Sequence, residues 1–329
     1  MKMLRARNRA GCIDRRAVPA VPRGRPIGVL VVIMMLLGPA LPASATTSGR
    51  CPNVVGWGGE QSSGPGAADV PADLTSVVAV AAGQGHDLAL KRDGTVVGWG
   101  TNGSGQTTPP PGLKGVVAIA AGWEHSVALK RDGTVTAWGD DWYGETDVPT
   151  GLHDVVAIAA SYQHNLALTK AGTVVAWGSN DYGQSDVPAG LHDVVAIAAG
   201  QEHSLALKRD GTVVAWGNSR YGGTDVPTGL HDVKALSAAA NHSLALLNNG
   251  TVMAWGSNGY GATDVPADLR GVTAIAAGYY HGLALKRNGT VVTWGWNEYG
   301  QTAVPASLRN VQAIAAGGFQ SLALTSRCC

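Results

Sequence analysis

The chain has 329 residues, and 24 basic against 23 acidic side chains give it a formal net charge of only +1. Eight basic residues and one acidic residue fall within the first 45, which leaves 16 basic against 22 acidic residues and a net charge of −6. Nucleic-acid binding requires clustered positive charge, and an acidic chain offers little of it, so we expect no nucleic-acid partner.

The first 45 residues have the pattern of a secretory signal peptide. A basic segment precedes the apolar run from Ile27 to Leu37, and three small residues follow at 43–45. The apolar run is too short to span a bilayer, which favours cleavage before Thr46 over a retained anchor. We therefore expect residues 1–45 to be removed and residues 46–329 to form one secreted, extracellular domain that does not associate with a membrane.

A repeat of 39 residues fills the rest of the chain. Six histidines recur at that spacing, and Gln320 takes the seventh place: His86, His125, His164, His203, His242 and His281. Seven Trp-Gly pairs follow the same period apart from one gap of 42, beginning at Trp57, Trp99, Trp138, Trp177, Trp216, Trp255 and Trp294. A repeat protein can be longer than a domain with a single hydrophobic core, because each repeat packs only on its neighbours.

One repeat, Val194 to Gly217, shows the predicted local structure. It contains three short runs rich in β-branched or alternating apolar residues, which predict strands and not helices. An Asp-Gly or Asn-Gly pair between the second and third runs predicts a tight hairpin turn with positive φ angles. After the tryptophan comes a glycine-containing loop and a segment ending in Val-Pro, which we interpret as a fourth strand at the outer edge.

This pattern predicts an all-β fold, a seven-bladed β-propeller of four-stranded antiparallel blades. The chain opens with the third strand of a blade and ends with the first two, near Leu324. We therefore expect the N- and C-terminal strands to pair in the last blade and close the ring, which removes two open sheet edges.

The repeated histidines and tryptophans are interpreted as structural. One copy in each blade keeps them apart around the ring, and buried imidazoles commonly serve as hydrogen-bonded core groups. Three histidine-aspartate pairs in the linkers, beginning at His153, His192 and His231, do not converge as zinc ligands would. We expect no metal, no cofactor and no catalytic residues, because the loops show no nucleophile with a positioned base.

Three cysteines remain once the predicted signal peptide is removed. Cys51 aligns with the hairpin-turn position of its blade, and Cys328 aligns with the glycine of the same turn. In a secreted chain this predicts a disulfide from Cys51 to Cys328 or to Cys329, and the choice between the two stays open.

Aromatic side chains that break the repeat mark the candidate partner-binding surface. Loops after the first and third strands of a blade share one rim, because connections in an antiparallel sheet alternate between its ends. The unrepeated aromatics on that rim are Trp123, Trp142, Tyr162, Tyr279, Tyr280, Trp296 and Phe319, and nearby acids include Asp141 and Asp181. Five recurring tyrosines are interpreted as loop packing. An uneven aromatic and acidic rim favours protein binding, because aromatics supply much of the binding energy at interfaces.

The AIAAGxxHSLAL and DGTVVAWG elements resemble the regulator of chromosome condensation repeat family over about Val54 to Leu324. That resemblance implies a seven-bladed propeller. The eukaryotic founder of the family is a nucleotide exchange factor for a small GTPase. The predicted signal peptide, the net negative charge and the even spacing of the repeats argue against that activity in this chain. The pattern is also similar to secreted propeller-type β-lactamase inhibitor proteins of type II, whose aromatic and acidic rim implies the same nine residues as the site.

We therefore expect a secreted, monomeric, non-catalytic protein binder, with β-lactamases or related penicillin-binding enzymes as implied partners. The alternative is a module that binds an extracellular glycan or the cell wall, with exposed tryptophan and tyrosine rings stacking on sugars. Neither the partner nor the affinity can be inherited from the scaffold.

Overall fold

A computed structural model of the protein describes residues 53–59 and 68–326. The predicted signal peptide and the three cysteines Cys51, Cys328 and Cys329 lie outside those residues, so the cleavage and the disulfide stay predictions. In the described portion, no helix has both the length and the apolar character needed to cross a lipid bilayer.

Within the described residues the chain forms seven antiparallel three-stranded sheets, here called blades 1 to 7. Blades 1 to 3 consist of β2 (Val77–Ala82), β3 (His86–Lys91) and β4 (Val96–Gly100); β5 (Val116–Ala121), β6 (His125–Lys130) and β7 (Val135–Gly139); and β8 (Val155–Ser161), β9 (His164–Thr169) and β10 (Val174–Gly178). Blades 4 to 6 consist of β11 (Val194–Ala199), β12 (His203–Lys208) and β13 (Val213–Gly217); β14 (Val233–Ala239), β15 (His242–Leu247) and β16 (Val252–Gly256); and β17 (Val272–Ala277), β18 (His281–Lys286) and β19 (Val291–Gly295). Blade 7 combines β20 (Val311–Ala316) and β21 (Gln320–Thr325) with β1 (Val54–Gly58).

The prediction of four-stranded blades is wrong, because the Val-Pro segment does not form a strand. Its backbone amides are used locally: Asp147 N donates to Gly144 O at 3.2 Å, and Val148 N donates to Thr146 O at 2.9 Å. The following proline has no N–H, so little of the segment can donate to a ladder with the third strand. The segment instead lies beside that strand through single contacts, such as Thr293 Oγ1 donating to Thr302 O at 2.8 Å.

The turns between the second and third strands are hairpins, as predicted, but of a longer type. Gly94 N donates to Lys91 O, Lys91 N donates to Thr95 O, and only the glycine has a positive φ, of 84°. This is a three-residue loop, a type I turn followed by a left-handed glycine. The Asp93 side chain accepts from Thr95 N at 3.0 Å and fixes the turn.

The ring closes by pairing of the two ends of the chain, as predicted, but the closing blade combines two C-terminal strands with only one N-terminal strand. In blade 7, β1 pairs with β21 in the register that places Val54 opposite Leu324 and Gly58 opposite Gln320. The first strands of consecutive blades pack against one another around the ring, and β2 packs against β20. Non-local pairing therefore joins the two ends into one closed wheel.

The apolar core lies between neighbouring blades. Trp138 of blade 2 packs with Leu88 and Leu90 of blade 1, and Trp99 of blade 1 packs with Leu322 of blade 7. All three leucines are fully buried. Each blade is therefore stabilised by its neighbour, and the closing interface has the same packing as the others.

All six repeated histidines are buried, and five of them connect consecutive blades by hydrogen bonds. His86 Nε2 lies 3.0 Å from Ser126 Oγ in the next blade, and that hydroxyl donates to Gln106 O at 2.8 Å. Trp138 Nε1 donates to the same carbonyl at 2.9 Å. Since the serine hydroxyl donates its proton to the carbonyl, it accepts from His86, which fixes the hydrogen on Nε2. A histidine, a serine and a tryptophan thus converge on one loop carbonyl.

Candidate binding surface

The two loops that carry the candidate residues lie side by side at one edge of each blade. Asp140 N donates to Glu124 O at 2.8 Å, and Trp296 N donates to Tyr280 O at 2.9 Å. These bonds join the loop before the histidine to the loop after Trp-Gly. We call the edge formed by these loops the upper rim. The prediction that both loops share one rim is confirmed.

The opposite edge, the lower rim, holds the hairpin turns and the linkers between blades. Arg131 N donates to Gly115 O at 2.8 Å, and Arg209 N donates to Asp193 O at 2.9 Å. Nearly all basic side chains of the described portion belong to the hairpin tips and linkers. Arg220 is the one basic residue of the described upper-rim loops. The two rims therefore differ in charge, acidic above and basic below.

Six aromatic rings of the upper rim form one contiguous group on blades 5 to 7, here called the aromatic cluster. The cluster comprises Tyr260, Tyr279, Tyr280, Trp296, Tyr299 and Phe319. Tyr260 and Tyr280 have ring centroids 4.5 Å apart, and Trp296 lies 5.6 Å from Phe319 with its ring edge-on. Four of the predicted site residues are therefore brought together in this cluster.

Two further predicted residues, Trp123 and Tyr162, form a separate stacked pair on blades 2 and 3. Their ring centroids are 4.3 Å apart, and the rings are nearly parallel, at 13°. The pair connects the two blades at the inner edge of the upper rim, where Trp123 N also donates to Tyr162 O at 2.9 Å. Offset stacking of this kind adds to the energy of burial.

The remaining predicted residues stand at loop tips. Trp142 is 80% exposed, although tryptophan is usually well buried, and no ring contact to it is found in the described chain. The corresponding tip residues are Gly103, Asp181, Arg220, Gly259 and Glu298, all exposed. The side chain at the loop tip therefore differs in size and charge from blade to blade.

The acidic candidates Asp141 and Asp181 have different roles in the structure. Asp141 Oδ1 accepts from Thr146 N at 2.8 Å, the position at which Asn180 Oδ1 accepts from Ser185 N in the next blade. Asp141 therefore also fixes its own loop, whereas Asp181 projects from the tip. Glu145, another acid of these loops, is buried: it accepts from Tyr143 N, and burial raises the pKa of its carboxyl.

At the centre of the upper rim the axial passage of the ring opens in a small cavity, here called the axial mouth. The aromatic side chains that line it are Trp123, Tyr162 and Tyr279, and its volume is about 70 Å³. Below it, the passage has a volume of about 150 Å³ and is lined mainly by alanine and by Ile119, Ile158 and Ile197. The axial mouth is far smaller than the 300–1,000 Å³ of a typical small-molecule site.

Glu202 acts electrostatically on two tyrosines that line the axial mouth. Burial raises the pKa of the Tyr279 hydroxyl, and the neighbouring Tyr162, Tyr280 and Glu202 raise it further. Burial also raises the pKa of Tyr162, again with a contribution from Glu202. Both phenols therefore stay protonated at neutral pH beside a carboxylate, which accepts a hydrogen bond from Asn218 Nδ2.

Sequence reasoning missed part of this surface. Tyr260 and Tyr299 recur with the repeat and were interpreted as loop packing, yet both belong to the aromatic cluster. Glu202 and Arg220 were not among the selected residues. The signal for Arg220 was present, because the residue at its loop position changes from blade to blade, while that for Tyr260 was hidden by periodicity.

Groups of three or more histidine, cysteine or acidic residues able to hold a metal ion are not found among the described residues. Burial lowers the pKa of the ring histidines to between about 3, at His86, and about 4, at His203, so these imidazoles are neutral structural groups at pH 7.

A family model and several solved structures are similar to this chain. A family model described as RCC1-like domain matches residues 54–328. Curated protein sequences gave no match. Among solved structures, Prp20p from Saccharomyces cerevisiae, described with its binding to Gsp1p and histones, has 21% identity, covers 84% of this chain and 92% of its own, and has a TM-score of 0.70.

Two other solved structures have the same fold. Human WBSCR16 has 19% identity, covers 83% of this chain and 100% of its own, and has a TM-score of 0.67. The CRINKLY WD40 ectodomain of the Arabidopsis thaliana receptor kinase ACR4 has 22% identity, covers 77% and 92%, and has a TM-score of 0.65. At these identities the likeness shows the fold alone.

Proposed function

This chain belongs to the RCC1-like domain family, and from that premise we propose that it is a non-catalytic module that binds a protein partner through its upper rim. One observation carries the proposal. The scaffold is nearly the same in every blade, while the upper-rim side chains differ in size and charge, from Gly103 to Trp142 to Arg220 at one loop position. A surface that varies on an unvarying scaffold is where specificity is expected.

The chemistry of the rim suits a protein interface. Trp142 is 80% exposed, and the aromatic cluster on the far side of the axial mouth presents partly buried rings with polar tips. Tryptophan and tyrosine are enriched among the residues that contribute most to protein binding, whereas lysine is depleted. The lower rim has the opposite composition, with charged hairpin tips such as Lys91 and Arg92.

The class of protein to which the partner belongs is a separate part of this proposal. A β-lactamase or penicillin-binding enzyme was implied by resemblance only, and no comparison with known proteins adds support for it. Prp20p is described as binding Gsp1p and histones, which keeps proteins of those two kinds among the candidate partners. Secretion after removal of residues 1–45, and a monomeric state, belong to the proposal as well.

The test compares matched variants of the two rims. Wild-type protein, Trp142→Ala, Tyr280→Ala and the lower-rim control Arg92→Ala are purified, checked for equal melting temperature, and used to capture partners from culture medium and cell extract. We expect a specific protein to be retained by wild type and Arg92→Ala, and to be lost at least tenfold with Trp142→Ala. Equal retention by all four proteins would contradict the assignment of the upper rim.

Three further measurements identify the class of partner. Inhibition of nitrocefin hydrolysis at nanomolar protein would identify a β-lactamase target, and accelerated nucleotide release from a small GTPase would identify exchange. Retention on peptidoglycan or polysaccharide without any protein partner would favour the glycan alternative. N-terminal sequencing of protein recovered from medium tests cleavage before Thr46.

A further inference from the structure

The axial mouth has the geometry of a site for one cationic group. Three aromatic side chains, Trp123, Tyr162 and Tyr279, line a single opening at the centre of the upper rim. Trp123 and Tyr162 are stacked at 4.3 Å, which holds both rings in place, and Tyr279 is anchored through its ring contact with Tyr280 at 5.2 Å. Aromatic rings held in place around a small opening can recognise ammonium and guanidinium groups.

A carboxylate of the same rim adds to this arrangement. Glu202, in the loop before His203, acts electrostatically on the hydroxyls of Tyr162 and Tyr279, and its own hydrogen bond comes from the neutral amide of Asn218. The ion pairs of the described chain involve other residues, on the lower rim. Glu202 therefore forms no ion pair with another described residue.

We propose that the axial mouth binds the cationic end of one lysine or arginine side chain presented by the protein partner. The inference rests on the proposed function, because it assigns the residue that enters the centre of the same rim. Electrostatic complementarity favours it: the upper-rim loops carry acids such as Glu124, Glu202 and Asp181, and Arg220 is the one basic residue of those loops in the described structure. A basic partner would also be guided to this rim by its charge.

The size of the axial mouth excludes larger occupants. A volume of about 70 Å³ accommodates the end of a single side chain, whereas a nucleotide or a drug-sized molecule requires several hundred cubic ångströms. A metal ion is disfavoured, because one carboxylate and neutral phenols are a poor ligand set, while aromatic faces bind organic cations well.

The test uses the protein labelled with 5-fluorotryptophan and no partner at all. The chain has ten tryptophans, and the Trp123 resonance is assigned by its loss in Trp123→Phe. The probes are the N-acetyl methylamides of arginine and lysine, with the neutral isostere citrulline as control. We expect saturable shifts of the Trp123 resonance with the two cations, at least tenfold weaker binding of citrulline, and a similar tenfold loss in Glu202→Gln.

Equal shifts with arginine and citrulline, or shifts confined to Trp142, would overturn the inference. Arg92→Ala, on the lower rim, is the matched control and is expected to leave arginine binding unchanged. Glu202→Gln preserves the hydrogen bond from Asn218, so loss of cation binding in a variant with an unchanged melting temperature reports charge and not misfolding. Because the probes replace the partner, failure of the capture experiment leaves this measurement unaffected, and the two proposals can fail separately.

Discussion

The indole of Trp294 occupies the space in which a side chain on Gly282 would begin: a Cβ atom there would lie 2.3 Å from the Cε2 and Cζ2 atoms of the ring. All other blades carry a side chain at this register, namely Asp87, Ser126, Asn165, Ser204, Ser243 and Ser321. All six accept a hydrogen bond from the previous blade; Ser243, for example, accepts from His203. His242, one blade before Gly282, has an Nε2 atom without a hydrogen-bond partner among the described residues. The interface between blades 5 and 6 has therefore exchanged a hydrogen bond for closer packing.

Restoring the serine in Gly282→Ser is expected to destabilise the protein. The new hydroxyl could satisfy His242, which contributes about 1 kcal/mol, but the Cβ atom overpacks Trp294, which costs about 1–3 kcal/mol. We expect a lower free energy of unfolding in urea, by about 1 kcal/mol. A gain in stability would show that Trp294 moves aside at little cost, and Gly103→Ser, in an open loop tip, is the control.

The variant Ser204→Ala removes an existing hydrogen bond between two blades. We expect it to lower the free energy of unfolding by more than Gly282→Ser does. The Ser204 hydroxyl lies 2.9 Å from His164 Nε2 and donates to Gln184 O at 2.9 Å, and all of these groups are buried. The substitution leaves a buried imidazole N–H without an acceptor, which costs about 1–3 kcal/mol. Thermal and urea unfolding measure the loss. Ser219→Ala, on an exposed loop, should change stability by no more than about 0.5 kcal/mol.

Stability is expected to fall between pH 7 and pH 5. Burial lowers the pKa of His164 to about 3 and that of His203 to about 4, so the unfolded imidazole takes up a proton near pH 6.5 while the folded one does not. Each such histidine then lowers the free energy of unfolding by about 1.4 kcal/mol for every pH unit below about 6. Asp87 opposes this: burial raises the pKa of its carboxyl, so the folded state gains stability there as pH falls. Six histidines outweigh one aspartate, and urea unfolding at pH 7 and 5 should show a net loss.

The variant His203→Gln should lose less stability on acidification than wild type, by about 1.4 kcal/mol per pH unit. Glutamine is a natural replacement here, because Gln320 stands in the seventh position and donates to Gly83 O and to Asp87 Oδ1. In the variant, its amide can donate to Ser243 as the imidazole does. Parallel pH profiles of the two proteins would refute the role given to the buried histidine.

Two tryptophans of the upper rim are expected to behave differently when replaced by alanine. Trp296 contacts Tyr260, Tyr280, Tyr299 and Phe319 in the aromatic cluster, so Trp296→Ala should lower the free energy of unfolding by about 1–3 kcal/mol. Trp142→Ala should change it by less than about 0.5 kcal/mol, because that ring is solvated. Equal losses would mean that Trp142 packs in solution.

Much of the fold follows from sequence periodicity. The spacing of the histidines and Trp-Gly pairs gives the number of blades, and the permuted ends predict that β1 pairs with β21. The fourth strand was mispredicted because hydrophobic patterning says nothing about where an amide donates: Val148 N turns back to Thr146 O, which a Val-Pro pair alone does not reveal. Likewise, the vacancy at Gly282 is visible in sequence, but the shift of Trp294 into it is not.

The candidate surface was predictable in outline only. Breaks in the repeat identified Trp123 and Tyr162, yet their stacking depends on two blades meeting at the inner rim. Trp142 and Trp296 follow a Trp-Gly pair in similar loops, and the structure separates them completely, one at a solvated tip and the other inside a cluster. Which way a loop residue points depends on its neighbours in space, which the sequence of one blade does not contain.

Closure of the ring constrains how such a protein can evolve. A linear array can gain or lose a unit at its end, because only one interface changes. In this chain β2 packs against β20 as the other first strands pack against each other, so a duplicated 39-residue unit would alter the angle at every interface at once. The number of units is therefore inherited as a whole, and new specificity is expected to arise by replacing single loop residues.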